Sequence, residues 1–150
     1  MRILVQKVQK ASVTIAAKEV ASIGRGFLLF VGFTFGDDPG VVAKMADKVS
    51  KLRIFPDENG KTNLALDKVG GSVLSVSQFT LYGDVKEGNR PSFVRALQPD
   101  YAKSLFALFN NLLREAVPSL ETGIFQADME VSLVNEGPFT LWLDSGELYK

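Results

Sequence analysis

Ser77-Gln78-Phe79-Thr80 puts two hydroxyls, a carboxamide and an aromatic ring on four consecutive residues. Such groups can hold an ester by hydrogen bonds, and a Thr hydroxyl can attack a carbonyl if a base takes its proton. The usual bases are missing, because the 150 residues include no His and no Cys. That excludes Ser-His and Cys-His nucleophile pairs, and it removes the ordinary zinc ligands. No metal or cofactor is expected. A hydrolase built from this chain needs another base or borrows one from its substrate. Taken alone, the cluster reads better as polar residues at a strand end that face solvent or satisfy backbone groups.

A second candidate is Asn135-Glu136-Gly137-Pro138-Phe139-Thr140. Proline cannot donate to a ladder, so it belongs at an edge, a strand start or a bulge. X-Pro bonds are cis in only about 5–6% of folded cases, which makes an ordinary trans turn the plain reading. The loop Gly88-Asn89-Arg90-Pro91-Ser92-Phe93 offers one cation on flexible flanks. Lys44, Lys48 and Lys51 form a stripe that reads first as a solvated helix face, with phosphate contact as its functional alternative. Phe27, Phe30, Phe33 and Phe35 read as core.

The elements that must position these residues follow from periodicity. Arg2–Gln9, Ala11–Ile15, Val20–Ile23 and Phe27–Phe35 read as four strands, the last apolar enough to be buried on both faces. Asp37-Asp38-Pro39 supplies a capping carboxylate and a first-turn proline for a helix carrying Val42, Met45, Ala46, Val49 and Leu52 on one face. Arg53–Phe55 predicts a short strand, Pro56–Gly60 a turn, Ser72–Tyr82 a long strand and Gly83–Pro91 a loop. Pro99-Asp100 opens a second helix bearing Tyr101, Leu105, Leu108, Phe109, Leu112 and Leu113, which ends near Pro118. Strands are predicted at Glu121–Phe125, Met129–Val134 and Phe139–Leu143, with Asn135–Pro138 interrupting the last two. This order predicts a single α+β domain spanning residues 1–150. Its sheet is curved, barrel-like and antiparallel or mixed, with two main helices.

Composition agrees, with 46% apolar and 23% charged residues, as in ordinary globular domains. The longest apolar run, Phe27 to Phe35, is broken by Gly32 and Thr34 and falls short of the roughly 20 residues of a membrane helix. The first residues turn polar at Gln6-Lys7, too early for a secretory leader, so a cytoplasmic protein is expected. Net charge is zero, which argues against an indiscriminate nucleic-acid binder. The halves differ, however: residues 1–75 carry 11 Lys/Arg against 7 Asp/Glu, and residues 76–150 carry 6 against 10.

Val76–Leu81 and Ser132–Thr140 together resemble the two signature segments of D-aminoacyl-tRNA deacylases. Lys10-Ala-Ser-Val13, Arg53-Ile-Phe55, Gly70–Leu74, Gly88–Phe93 and Thr122–Met129 continue the resemblance in the same order, over essentially the whole chain. It implies hydrolysis of the ester between tRNA and a D-amino acid, or glycine mischarged on tRNA-Ala. It implies a homodimer whose Gly137-Pro138 bond is cis and projects from one subunit into the other's pocket. There Ser77, Gln78, Phe79 and Thr80 would receive the 3′-terminal adenosine and its aminoacyl group. Asn135 would join Gly137 and Pro138 in substrate binding and chiral selection, and Lys7 would support the Gly-Pro segment. Lys7 and Lys10 stand where the family commonly has Arg, and Phe139 where it has Val.

Two mechanisms are open to such a site. Thr80 could form an acyl-enzyme, or the terminal ribose 2′-hydroxyl could help activate water. Backbone N–H groups near Phe79 and Thr80 would then stabilise the oxyanion. The lack of any histidine favours the second. A deacylase of relaxed chirality and a non-catalytic RNA-binding dimer are the alternative functions.

Overall fold

Arg2–Ile15 forms one strand, β1, in a computed structural model that describes all 150 residues. The sequence reads two strands here because the buried positions change phase. Ile3, Val5 and Lys7 point to one side, and Val8, Ala11 and Val13 are buried after them. The change coincides with bulges in the pairing of β1 with the last strand, β8 (Glu130–Asp144), between Gln6 and Lys10. A bulge inserts residues and re-aims side chains without ending the strand. The strand therefore serves two apolar clusters, the larger containing Ile3 and Val5 and the smaller Val8, Ala11 and Val13.

The remaining strands are β2 (Lys18–Ile23), β3 (Gly26–Gly32), β4 (Phe55–Pro56), β5 (Thr62–Leu64), β6 (Ser72–Ser77) and β7 (Ser119–Thr122). One sheet runs β2-β1-β3-β6-β7, with β8 on the other edge of β1, and β4 and β5 form a separate hairpin. β3–β6 and β6–β7 are parallel and the other pairs antiparallel. The sheet curls enough to bring β2 back against β6 and β7. The architecture is thus α+β with a mixed, barrel-like sheet. Gly26 is required at the start of β3, since a Cβ there would lie 1.7 Å from the Ser72 carbonyl oxygen.

The main helices are α1 (Pro39–Ser50) and α3 (Pro99–Ala116); α2 (Leu66–Val69) and α4 (Ser145–Leu148) are single turns. Asp38 caps α1 by accepting from the Val41 N–H at 2.9 Å. Val42, Met45, Ala46 and Val49 from α1 meet Leu105, Phe106, Phe109 and Leu113 from α3 in the larger core.

Several boundaries differ from the sequence reading. β3 ends at Gly32 rather than Phe35, and β7 at Thr122 rather than Phe125. The long strand predicted over Ser72–Tyr82 stops at Ser77, and Phe79–Tyr82 turns into a 3₁₀ helix. Met129–Val134 and Phe139–Leu143 are one strand, β8, because the Gly-Pro segment bulges out of it without ending it. The β5, α2 and α4 segments carry too few residues to show a period.

Candidate active site

The strand-to-3₁₀ transition is what presents the Ser77 cluster. The Gln78 N–H still donates to the Val31 carbonyl at 2.8 Å, continuing the β3–β6 ladder. The chain then passes so close to Gly32 that a Cβ there would come within 2.8 Å of the Gln78 carbonyl oxygen. Arg2 supports the turn from β1. Its Nη1 donates to the Leu81 carbonyl at 2.8 Å and its Nε to Asp144 at 2.9 Å, and its guanidinium lies 4.4 Å from the Tyr82 ring centre. Nothing in the sequence marked Arg2 for this role, because its partners lie 79 and 142 residues away.

Ser77, Gln78 and Phe79 line a cleft of about 840 Å³. Phe93 packs edge-on against Phe79 at 5.1 Å and forms one wall, and Phe125 and Met129 form another. Phe79 and Phe93 are both exposed, so aromatic surface faces the opening. The Gly88–Phe93 loop therefore contributes a ring to the cleft, whereas its cation Arg90 is not among the lining residues. The missed wall, Phe125–Met129, has an irregular signal: Gln126 sits at φ 66°, a left-handed conformation unusual for a non-glycine residue.

Thr80 does not line the cleft; it sits exposed at the turn, its Oγ1 accepting a hydrogen bond from Gln78 Nε2 at 2.5 Å. A carboxamide nitrogen can only donate, so Gln78 engages a Thr80 lone pair and takes no proton. Tyr82 supplies no base either. Burial, then the Asp37 and Asp144 charges, push its hydroxyl above its ordinary pKa and keep it protonated. Asp128 is the ionisable side chain among the lining residues.

The Asn135–Thr140 segment lies elsewhere on the chain and lines none of this cleft. Val8 pairs with Asn135 and Gln6 with Thr140, so residues 136–139 bulge opposite the single residue Lys7. Asn135 closes the bulge: its Oδ1 accepts from the Phe139 N–H at 2.9 Å, and its Nδ2 donates to Gln6 Oε1 at 2.8 Å. Gly137-Pro138 is cis and exposed. Gly137 holds φ 136°, and a Cβ there would meet the Phe139 nitrogen at 2.9 Å, so the position demands glycine. Lys7 is buried beneath the bulge with Phe55 and Phe139.

The Lys44/Lys48/Lys51 stripe stays outside the site. Lys51 pairs with Asp47 at 2.7 Å along the solvent face of α1, where such pairs contribute little. No helix is long and apolar enough to cross a membrane.

Residues 4–144 match the family described as D-Tyr-tRNA(Tyr) deacylase. The chain belongs to this family. A Lactobacillus acidophilus D-aminoacyl-tRNA deacylase is 55% identical over 96% of this chain and 99% of its own length. A protein of the same name from Thermomicrobium roseum is 53% identical over 99% of this chain and 96% of its own. Among solved structures, a c-Myc DNA unwinding element binding protein superposes with a TM-score of 0.91 at 35% identity, covering 96% of this chain and 98% of that one. The family match takes in the cleft, the 3₁₀ turn and the Gly-Pro bulge together.

Proposed function

We propose that the chain, acting as one domain over residues 1–150, hydrolyses the ester linking a D-amino acid or glycine to the 3′-terminal adenosine of tRNA. The observation that carries this reading is the cleft formed by Ser77, Gln78 and Phe79, within a chain matching deacylases over nearly its whole length. Apolar and aromatic walls with a few amides suit a nucleoside, whose base stacks on rings while its ribose is held by hydrogen bonds. The ester is already reactive, so positioning and oxyanion stabilisation carry the reaction. Ser77 and Gln78 orient the ester and water, and the backbone N–H of Phe79, at the cleft end of the turn, stabilises the developing charge.

Chiral selection is assigned to Gly137-Pro138, supported by Asn135 and Lys7. Exposed backbone set against the α-carbon rejects an L side chain by overlap whatever that side chain is, and glycine escapes. Comparing hydrolysis of D- and L-tyrosyl-tRNA tests this directly. Preference for D by at least about a hundredfold is expected, and equal rates would leave a deacylase of relaxed chirality. A purely nucleic-acid-binding role, suggested by the name of the 35%-identical structure, has less support from a chain of zero net charge.

The bulge and the cleft do not meet within one chain, so the reading requires a second copy. β8 pairs on one edge only, and Val134 and Trp142 on it are exposed together with Phe79 and Val94 beside the cleft. An isologous dimer that covers these surfaces and inserts each bulge into the partner's cleft completes two equivalent sites. Sedimentation at micromolar protein is expected to give a dimer. A fully active monomer would end this reading. The cytoplasm, where tRNA is charged, is the compartment this function requires.

A further inference from the structure

Glu136, immediately before Gly137-Pro138, has two cationic neighbours: Lys7 Nζ at 3.6 Å and Arg25 Nε at 3.8 Å. Its Oε2 is buried and has no hydrogen-bond partner. Such an oxygen is held by charge alone, so its resting place depends on where both cations sit. Lys7 approaches from β1, with its ammonium 5.5 Å from the Phe55 ring centre and 5.8 Å from that of Phe139. Arg25 approaches from the turn between β2 and β3, its guanidinium 4.9 Å from the same Phe55 ring. Its side chain is 42% exposed against 10% for Lys7, so Arg25 is the more solvent-exposed of the two cations.

Gly137 and Pro138 have no paired residue on β1. The bulge is therefore held by its flanks. Asn135 pins the Phe139 end by hydrogen bonds, and Glu136 pins the other end through the two cations. Lys7 offers one point charge, and Arg25 supplies a second from another element to the same oxygen. From this geometry we infer that Arg25 is a positioning residue for Gly137-Pro138, acting through Glu136, and so contributes to selection of D over L substrates. The inference rests on the reading of Gly137-Pro138 as the selectivity element.

The test measures kcat/KM on D- and L-tyrosyl-tRNA for the full-length protein and for Arg25→Ala, Arg25→Lys and Arg53→Ala, alongside Tm. Arg53 is a surface arginine bonded to Asn63 and serves as the control. Arg25→Ala is expected to lower the D-over-L ratio about tenfold, because a slightly displaced bulge admits the L side chain. Arg25→Lys should recover part of it, and Arg53→Ala should leave the ratio alone. A purely structural role would move Tm and both rates together. A ratio for Arg25→Ala within about twofold of wild type, or the same fall in Arg53→Ala, overturns the inference. Wild-type protein that does not discriminate overturns the selectivity reading itself, which separates the two failures.

Discussion

Substrate ending in 2′-deoxyadenosine is expected to be hydrolysed about 10²–10⁴-fold more slowly than normal D-aminoacyl-tRNA, the usual worth of a positioned acid or base. Thr80→Ala should cost no more than about tenfold, or ~1.4 kcal/mol, comparable to one lost hydrogen bond. The contrast follows from what surrounds Thr80. Its hydroxyl oxygen accepts from Gln78, no imidazole or thiolate exists in the chain, and Tyr82 is held protonated. Apart from Asp128 the cleft offers no side-chain base, and the vicinal 2′-hydroxyl is the substrate group placed to orient and help activate the attacking water. Asp128→Asn is the necessary comparison, since Asp128 is the cleft's carboxylate, and it too should lose less than about tenfold. Single-turnover rates with each substrate and variant decide the matter. Loss of about four orders of magnitude in folded Thr80→Ala, with the deoxy substrate near normal, would establish the acyl-enzyme instead.

Asp37→Ala is expected to destabilise the fold by about 3–5 kcal/mol, the usual cost of removing one partner from a buried ion pair. The Met1 ammonium is fully buried and donates to Asp37 Oδ1 at 2.7 Å and to Ser145 Oγ at 2.8 Å. Asp37 Oδ2 also accepts from the Thr34 N–H at 2.8 Å. Truncation would leave the ammonium with Ser145 alone and orphan a backbone donor. The neighbouring Asp38→Ala removes only the α1 cap, worth about 1 kcal/mol. Urea unfolding compares the two: a much lower midpoint for Asp37→Ala at unchanged slope is expected. Activity should fall as well, because Thr34 bridges to Ala96 in the cleft wall. Equal effects of the two substitutions would show that the buried pair contributes no more than a surface cap.

Those adjacent aspartates illustrate the boundary between sequence and structure. A carboxylate before proline at a helix start is a local signal, and Asp38 fulfils it. Asp37 pairs with a group 36 residues away, and no local pattern carries that. The same division runs through the molecule. Both main helices were legible because apolar residues recurring at three and four fix which face is buried. The alternating apolar residues of β1 likewise foretold its burial, but its passage between two clusters depends on a bulge against β8, about 130 residues on. Residue types determined that the chain has no histidine or thiol chemistry, and ordered motifs determined the family. What they left open is where the site's parts stand. The turn at Gln78 passes so close to another strand that only glycine fits at position 32 there. The aromatic wall comes from Phe93 and Phe125, which have no periodic relation to Ser77. Arg25 meets Glu136 only because β1 lies between β3 and β8, which brings a turn and a bulge 111 residues apart onto one half-buried carboxylate. Local order is set by short-range sterics and periodicity, whereas contacts across the sheet exist only once the strands have paired.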